Sequence, residues 1–159
     1  MTIKVGDSIP FVNLATMGAE GKDDLSTDDI FKGKKVVIFG LPGAFTPTCS
    51  AKHLPGFVEH ADAIKAKGID TIVCIAVNDA FVMAAWGKDQ NVGDKVMMVA
   101  DGSAHFAEAI GLGLDMSDRG MGMRCKRFSM LVQDCVITSL NIDGPTFEKT
   151  SAEQMLSDL

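Results

Sequence analysis

The chain has 159 residues, 47% of them hydrophobic and 23% charged, which suits one globular domain over residues 1–159 with its own core. A formal net charge of −6 argues against nucleic acid or an anionic membrane surface as the main partner. No apolar run approaches the ~20 residues of a membrane span. The opening MTIKVGDSIPF lacks the apolar stretch of a signal peptide, so the expected location is cytoplasmic.

In chain order, VGDSIPFVNL (Val5–Leu14) can add a first strand, and the Lys32, Lys34, Lys35 cluster reads as a solvated turn. KKVVIFGL (Lys34–Leu41) is a β-branched apolar run, as a buried strand requires. Thr48–Lys67 is helical in pattern, with Leu54, Phe57, Val58, Ala61 and Ile64 at three- and four-residue spacings. Pro55 should kink that helix and Gly68 should end it. DTIVCIAV (Asp70–Val77) is a second buried strand. Asn78 or Asp79 can cap a helix over AFVMAAWGKDQ. KVMMVAD (Lys95–Asp101) is a third strand. Ser103 is the expected cap of AHFAEAIG, which Gly111 ends. The Gly- and Met-rich Leu112–Met123 reads as a loop, with Met116, Met121 and Met123 as candidates for an apolar surface. RFSMLVQD and VITSLNID pair as a hairpin turned at Asp134-Cys135, and Ser151 opens a last short helix. This order predicts an α/β fold, a central mixed β-sheet with helices on both faces. The final hairpin excludes an all-parallel sheet. The glycines match neither a dinucleotide fingerprint nor a phosphate loop.

Chemistry concentrates in FGLPGAFTPTCS. Cys49 follows two proline breaks, Pro42 and Pro47, and falls in the first turn of a helix, near unpaired N–H groups and the positive end of the helix dipole. An ordinary cysteine is only a few per cent thiolate at neutral pH, and complete ionisation raises that about thirty-fold at most. Any faster chemistry needs further groups, and Thr46 supplies a hydroxyl while Gly43 allows close approach to the backbone. The other cysteines, Cys74, Cys125 and Cys135, form no CxxC pair. With His53, His60 and His105 they make no metal-ligand spacing, so neither a metal nor a cofactor is called for. His53 and His60 are seven apart and are expected to share a solvent-facing side of their helix.

PGAFTPTCS resembles the active-site signature of the peroxiredoxins, PxxxTxxC, in the form written by the type II (atypical, or fifth) subfamily. KVGDSIP, FKGKKVVIFG, HLPGF, KAKGID, CIAVNDAFVMAAWG and KRFSMLVQD resemble the same subfamily in order, so the likeness covers nearly the whole chain. It implies a thioredoxin fold and a thiol peroxidase, an antioxidant oxidoreductase acting on hydrogen peroxide and alkyl hydroperoxides through a sulfenic acid. On this resemblance Cys49 is the peroxidatic thiol, Thr46 the hydroxyl that bonds sulfur and peroxide, Pro42 the shield, and Arg127 the guanidinium. Arg124 is the rival arginine. Its opposite strand parity should turn it away, leaving a surface cation at a dimer edge.

The segment GPTFEKTSAEQML lacks the C-terminal resolving cysteine of animal-type members. The sulfenic acid is therefore expected to meet an external thiol, glutathione with glutaredoxin first and thioredoxin second. Cys74 matches a second cysteine of plant and bacterial members but reads better as a buried strand residue. Cys125 reads as structural, and Cys135 as the most exposed. A homodimer joined through Phe45 and Leu112–Met123 is expected. A disulfide reductase would need CxxC where this chain has Thr46-x-x-Cys49. A peroxide sensor would share the first chemical step, and a plain binding module would keep all four thiols inert.

Overall fold

The computed structural model describes Met1–Leu159. Its second strand was not anticipated. β1 (Asn13–Gly18) and β2 (Gly21–Ser26) form an antiparallel hairpin, turned by Gly21 at φ +124°, a conformation open to glycine. β2 reads GKDDLS and lies at the sheet edge, where charge is tolerated and no apolar alternation betrays a strand. The strand expected over Val5–Leu14 begins only at Asn13, preceded by a single bridge between Ser8 and Val136. α1 (Thr27–Phe31) follows, started by a capping box between Ser26 and Asp29. Lys32 and Lys34 fall in the turn after it, and Lys35 opens the next strand.

β3 (Lys35–Gly40), β4 (Thr71–Ala76) and β5 (Met97–Ala100) run parallel at the centre of a seven-stranded sheet. β8 (Phe128–Gln133) and β9 (Val136–Ile142) extend it antiparallel on one side, and β1 and β2 on the other, in the order β2-β1-β5-β4-β3-β8-β9. The mixed sheet is as expected. Strand periodicity divides its side chains between two cores. Val37, Phe39, Leu41, Ile72, Cys74 and Leu131 face one layer. Val36, Ile38, Val73, Ile75, Phe128 and Met130 face the other.

The first layer is closed by α2 (Leu54–Glu59), α3 (Ala61–Lys65), α4 (Ala80–Asp89) and α6 (Ala152–Asp158). The second is closed by α1 and α5 (His105–Ala109). Asp79 and Ser151 cap α4 and α6 by accepting from the backbone N–H groups of Val82 and Gln154. Ser103 caps nothing. Instead Asp101, two residues earlier, accepts from the N–H groups of Phe106 and Ala107, because Ala104 enters the left-handed region and swings the turn back over β5.

Two further expectations are corrected. Leu112–Met123 is not a loop: β6 (Gly113–Met116) and β7 (Gly122–Cys125) pair as a small separate hairpin around a 3-10 turn at Ser117–Arg119. Four-residue strands broken by glycine carry too little pattern to announce themselves. The long helix is also not uniform. Helical backbone begins at Pro47 and widens into a π turn over Cys49–His53. α2 follows with Pro55 in its first turn, and the direction changes at His60, not at Pro55. Proline has no N–H and its ring would collide with the carbonyl four residues back. The wider turn, closed by Leu54 N–H on Cys49 O, accommodates both.

Candidate active site

Phe39 on β3 and Phe57 on α2 stack with ring centroids 4.0 Å apart and planes 6° apart, both fully buried. That contact fixes the helix carrying Cys49 against the sheet, and burying two aromatic rings makes it one of the strongest local anchors. The loop between them is tied at several points. Ala44 N–H donates to Asn78 Oδ1 at 2.9 Å. Trp86 Nε1 donates to Ser50 Oγ at 3.0 Å. Phe45 adopts φ +63° with its ring 54% exposed, a strained backbone for a side chain that packs little.

Cys49 is 1% exposed. Arg127 Nη2 donates to its sulfur at 3.3 Å. Arg127 is not within a strand but in the two-residue link between β7 and β8, which lets its side chain reach back beneath the loop. A guanidinium in contact with sulfur also presents further N–H donors to whatever approaches. Thr46 lies one helical turn before Cys49, and its hydroxyl donates to Gly43 O at 2.7 Å, not to the sulfur expected of it. With its proton committed, Thr46 Oγ1 offers lone pairs to an incoming O–H. Pro42 is half-buried and borders, with Arg127, a cleft of about 660 Å3 that Leu114, Met116 and Ile142 also line. A second cleft of about 650 Å3 lies among Thr16, Lys65, Asp70 and Lys88, remote from this chemistry and lined by neither cysteine nor histidine.

The parity argument against Arg124 does not apply, since Arg124 lies on β7 and Arg127 beyond its end. Arg124 is half-buried, with Nη1 on Pro42 O at 3.3 Å and Nε on Met121 O at 2.9 Å, so it braces the loop from outside. Gly43 is what makes room, because a Cβ there would lie 2.7 Å from Arg124 Nη1.

His53 overturns its expectation most sharply. It is fully buried, not solvent-facing, and its Nδ1 accepts from Arg127 Nη1 at 2.8 Å while Nε2 bonds Thr150 O at 2.9 Å. A carbonyl can only accept and a guanidinium can only donate. The ring is therefore neutral with its proton on Nε2. Burial, reinforced by the Arg127 charge, pushes its pKa down to about 3. His53 lies four residues before Phe57 and so shares the buried face of the helix, its ring 5.7 Å from that of Phe57. His60 stays half-exposed and pairs with Glu153 at 3.0 Å.

The remaining thiols are dispersed. Cys74 is fully buried on β4, and burial, with a smaller contribution from the nearby Cys49, pushes its thiol well above the usual range. Cys125 faces the opposite core and donates to Lys126 O at 3.2 Å. Burial and then the Asp101 charge push its thiol far up. Cys135 is half-buried in the hairpin turn at φ +68°, and its thiol too is raised, first by desolvation and then by Asp28 and Asp134. No group of three or more His, Cys, Asp or Glu is arranged to hold a metal ion.

Comparison with known proteins shows full-length similarity to one family. The Redoxin family model matches residues 4–156. The chain is 45% identical over 161 residues to Peroxiredoxin-2B of Arabidopsis thaliana, covering 99% of this chain and 98% of that one. A structure of reduced Prx3 from Vibrio vulnificus in complex with H2O2 is 44% identical, with a TM-score of 0.95 and 99% of each chain covered. A Burkholderia cenocepacia structure, provisionally described as a thioredoxin reductase, is 48% identical with a TM-score of 0.97, covering 100% of this chain and 99% of that one. A disulfide reductase reading does not fit the chain in hand, which places Thr46 where a CxxC motif needs its first cysteine. Fold, signature and full-length similarity converge, and the chain belongs to the Redoxin family as a type II peroxiredoxin.

Proposed function

We propose that this protein is a thiol-dependent peroxidase in which Cys49 reduces hydrogen peroxide and alkyl hydroperoxides. The observation that carries the reading is the Arg127 guanidinium 3.3 Å from a sulfur held at the start of a helix and almost wholly buried. In the reaction the Cys49 thiolate attacks the terminal peroxide oxygen as the O–O bond breaks. Sulfur gains oxygen and becomes the sulfenic acid, while the second oxygen takes a proton and leaves as water or an alcohol. Negative charge passes from sulfur to the departing oxygen. Arg127 lies where its remaining N–H donors can follow that transfer, which lowers the barrier more than ionising the thiol alone. Thr46 Oγ1 accepts a hydrogen bond from the peroxide O–H and orients the attacked oxygen, and Pro42 keeps water from the sulfur.

An external thiol then condenses with the sulfenic acid, releasing water and leaving a mixed disulfide. A second thiol displaces Cys49 as thiolate and carries off the disulfide. The burial of Cys74 and Cys125, and the lack of a cysteine after Cys135, support an external donor. We assign that role to glutathione with glutaredoxin, ahead of thioredoxin. A homodimer meeting through Phe45 and the β6–β7 hairpin belongs to the same reading; Phe45 and Met123 are 54% and 40% exposed there. Steady-state peroxide consumption tests the proposal, in parallel with glutathione plus glutaredoxin and with thioredoxin plus its reductase. Turnover by the wild type and none by Cys49→Ser is expected. A single stoichiometric burst with every reductant would replace the enzyme by a sensor.

A further inference from the structure

Beside the backbone of Arg127 lies a buried polar assembly that the peroxidase reading does not use. Asp143, just past β9, is 4% exposed. Its carboxylate accepts the N–H groups of Glu148 at 3.0 Å, Lys149 at 2.8 Å and Thr150 at 3.2 Å, and the Thr150 hydroxyl at 2.8 Å. Burial acts to raise its carboxyl, but these donors together prevail and hold it below the usual range. Its own N–H donates to Arg127 O at 2.9 Å. One charged side chain thus folds residues 143–150 into a closed loop against the backbone of Arg127. The loop returns two groups to the site: the Phe147 ring, 5.6 Å from Arg127 Cζ, and the Thr150 carbonyl on His53 Nε2.

The carbonyl matters because imidazole has two neutral forms. Only the form protonated at Nε2 leaves Nδ1 free to accept from Arg127. The form protonated at Nδ1 would turn a donor toward a group that has only donors. We propose that Asp143 is a positioning residue for the Cys49 reaction: by seating the Thr150 carbonyl it selects the Nε2–H tautomer of His53, and that tautomer holds the Arg127 guanidinium against the sulfur. The inference rests on the reading of Cys49 as the peroxide-reactive thiol. The chain of contacts runs Asp143, Thr150, His53, Arg127, Cys49, every link a hydrogen bond of 3.3 Å or less. Removing Asp143 frees the tautomer and leaves the guanidinium with Phe147 and the sulfur alone.

Two readouts test this together. Histidine ring nitrogen spectra report the His53 tautomer, assigned with His53→Gln. The fluorescence of Trp86, the single tryptophan, which is bonded to Ser50 beside Cys49, follows oxidation of reduced protein by hydrogen peroxide without any reductant. The wild type should show one Nε2–H tautomer and a Cys49-dependent signal. Asp143→Ala should mix the tautomers and slow the bimolecular reaction about tenfold or more, the worth of one charge-assisted hydrogen bond. Asp143→Asn keeps an acceptor oxygen and should fall between. His53→Gln, whose amide can accept from Arg127 and donate to Thr150, should react within a few-fold of wild type, and His53→Leu about tenfold slower. A wild-type rate in Asp143→Ala, or a slow rate with the His53 spectrum unchanged, overturns the inference. Should the Asp143 variants fail to fold, equal rates in His53→Gln and His53→Leu overturn it instead. A wild type without any Cys49-dependent signal would sink the peroxidase reading itself, an outcome distinct from all of these.

Discussion

Arg127 divides its guanidinium between two acceptors, Cys49 Sγ at 3.3 Å and His53 Nδ1 at 2.8 Å. A lysine could satisfy one of these but not both, because its ammonium is a point charge without a planar fork. Arg127→Lys and Arg127→Met are therefore both expected to slow Cys49 oxidation by about a hundredfold, as for the loss of a donor at developing charge. Stopped-flow rates with hydrogen peroxide check this, and a lysine variant as fast as wild type would mean that charge alone suffices. Thr46→Ser should keep the rate and Thr46→Val should lose it, since only serine preserves the hydroxyl held by Gly43 O. His53 makes a prediction about pH. Its pKa is about 3 in the folded protein against 6.5 ordinarily, so between those values the unfolded chain binds a proton that the native state refuses. Stability must then rise with pH across that window and fall as the solution is acidified from about 6.5 toward 3. Urea midpoints should drop more steeply on acidification in wild type than in His53→Gln. Parallel slopes would show that His53 is not a buried neutral ring.

At the scale of elements, the packing distinguishes two glycines that look alike in sequence. A methyl group at Gly40 would overlap the Phe128 ring, which is fully buried and has nowhere to go. Gly40→Ala should cost about 1–3 kcal/mol, as overpacking does. A methyl at Gly43 meets the end of the Arg124 side chain, which can swing aside, so Gly43→Ala should cost less, under about 1 kcal/mol. Urea denaturation of the two variants measures the contrast. The same scale shows what was legible beforehand. β3, β4, β5 and β8 announced themselves through apolar runs, because burial on both faces writes a continuous pattern, and α4 through the Asp79 cap. β2, β6 and β7 did not, being short, charged or glycine-broken. Cys49, Thr46, Pro42 and Arg127 were named from a motif, and the structure brings them to one loop and one strand entrance. His53 was missed because it was read as a partner of His60, although its place four residues before Phe57 put it beside the buried face. Asp143 was missed because its partners, Glu148 to Thr150, form no pattern until the loop closes. The only signal available was an acidic residue followed by the run GPTFEKT.

At the scale of the whole molecule, Cys49 shares its core with Cys74 and lies apart from Cys125 and Cys135. Cys74 and Cys125 sit in opposite cores, and Cys135 lies at the far end of the final hairpin. If recycling depends on an outside thiol, none of the three is needed, and the triple variant Cys74→Ala/Cys125→Ala/Cys135→Ala should keep turnover with the preferred reductant within a few-fold. Loss of turnover with Cys49 oxidation intact would reveal an internal resolving step. No helix is long and apolar enough to cross a membrane. The fold thus brings a guanidinium against a single sulfur, with a hydroxyl one turn away and a histidine sharing the guanidinium. The most direct test of that account is to treat reduced protein with one equivalent of hydrogen peroxide in the presence of a sulfenic-acid trap and to map the adduct by mass spectrometry. One adduct, on Cys49, is predicted; an adduct on Cys135, or none on any cysteine, would contradict it.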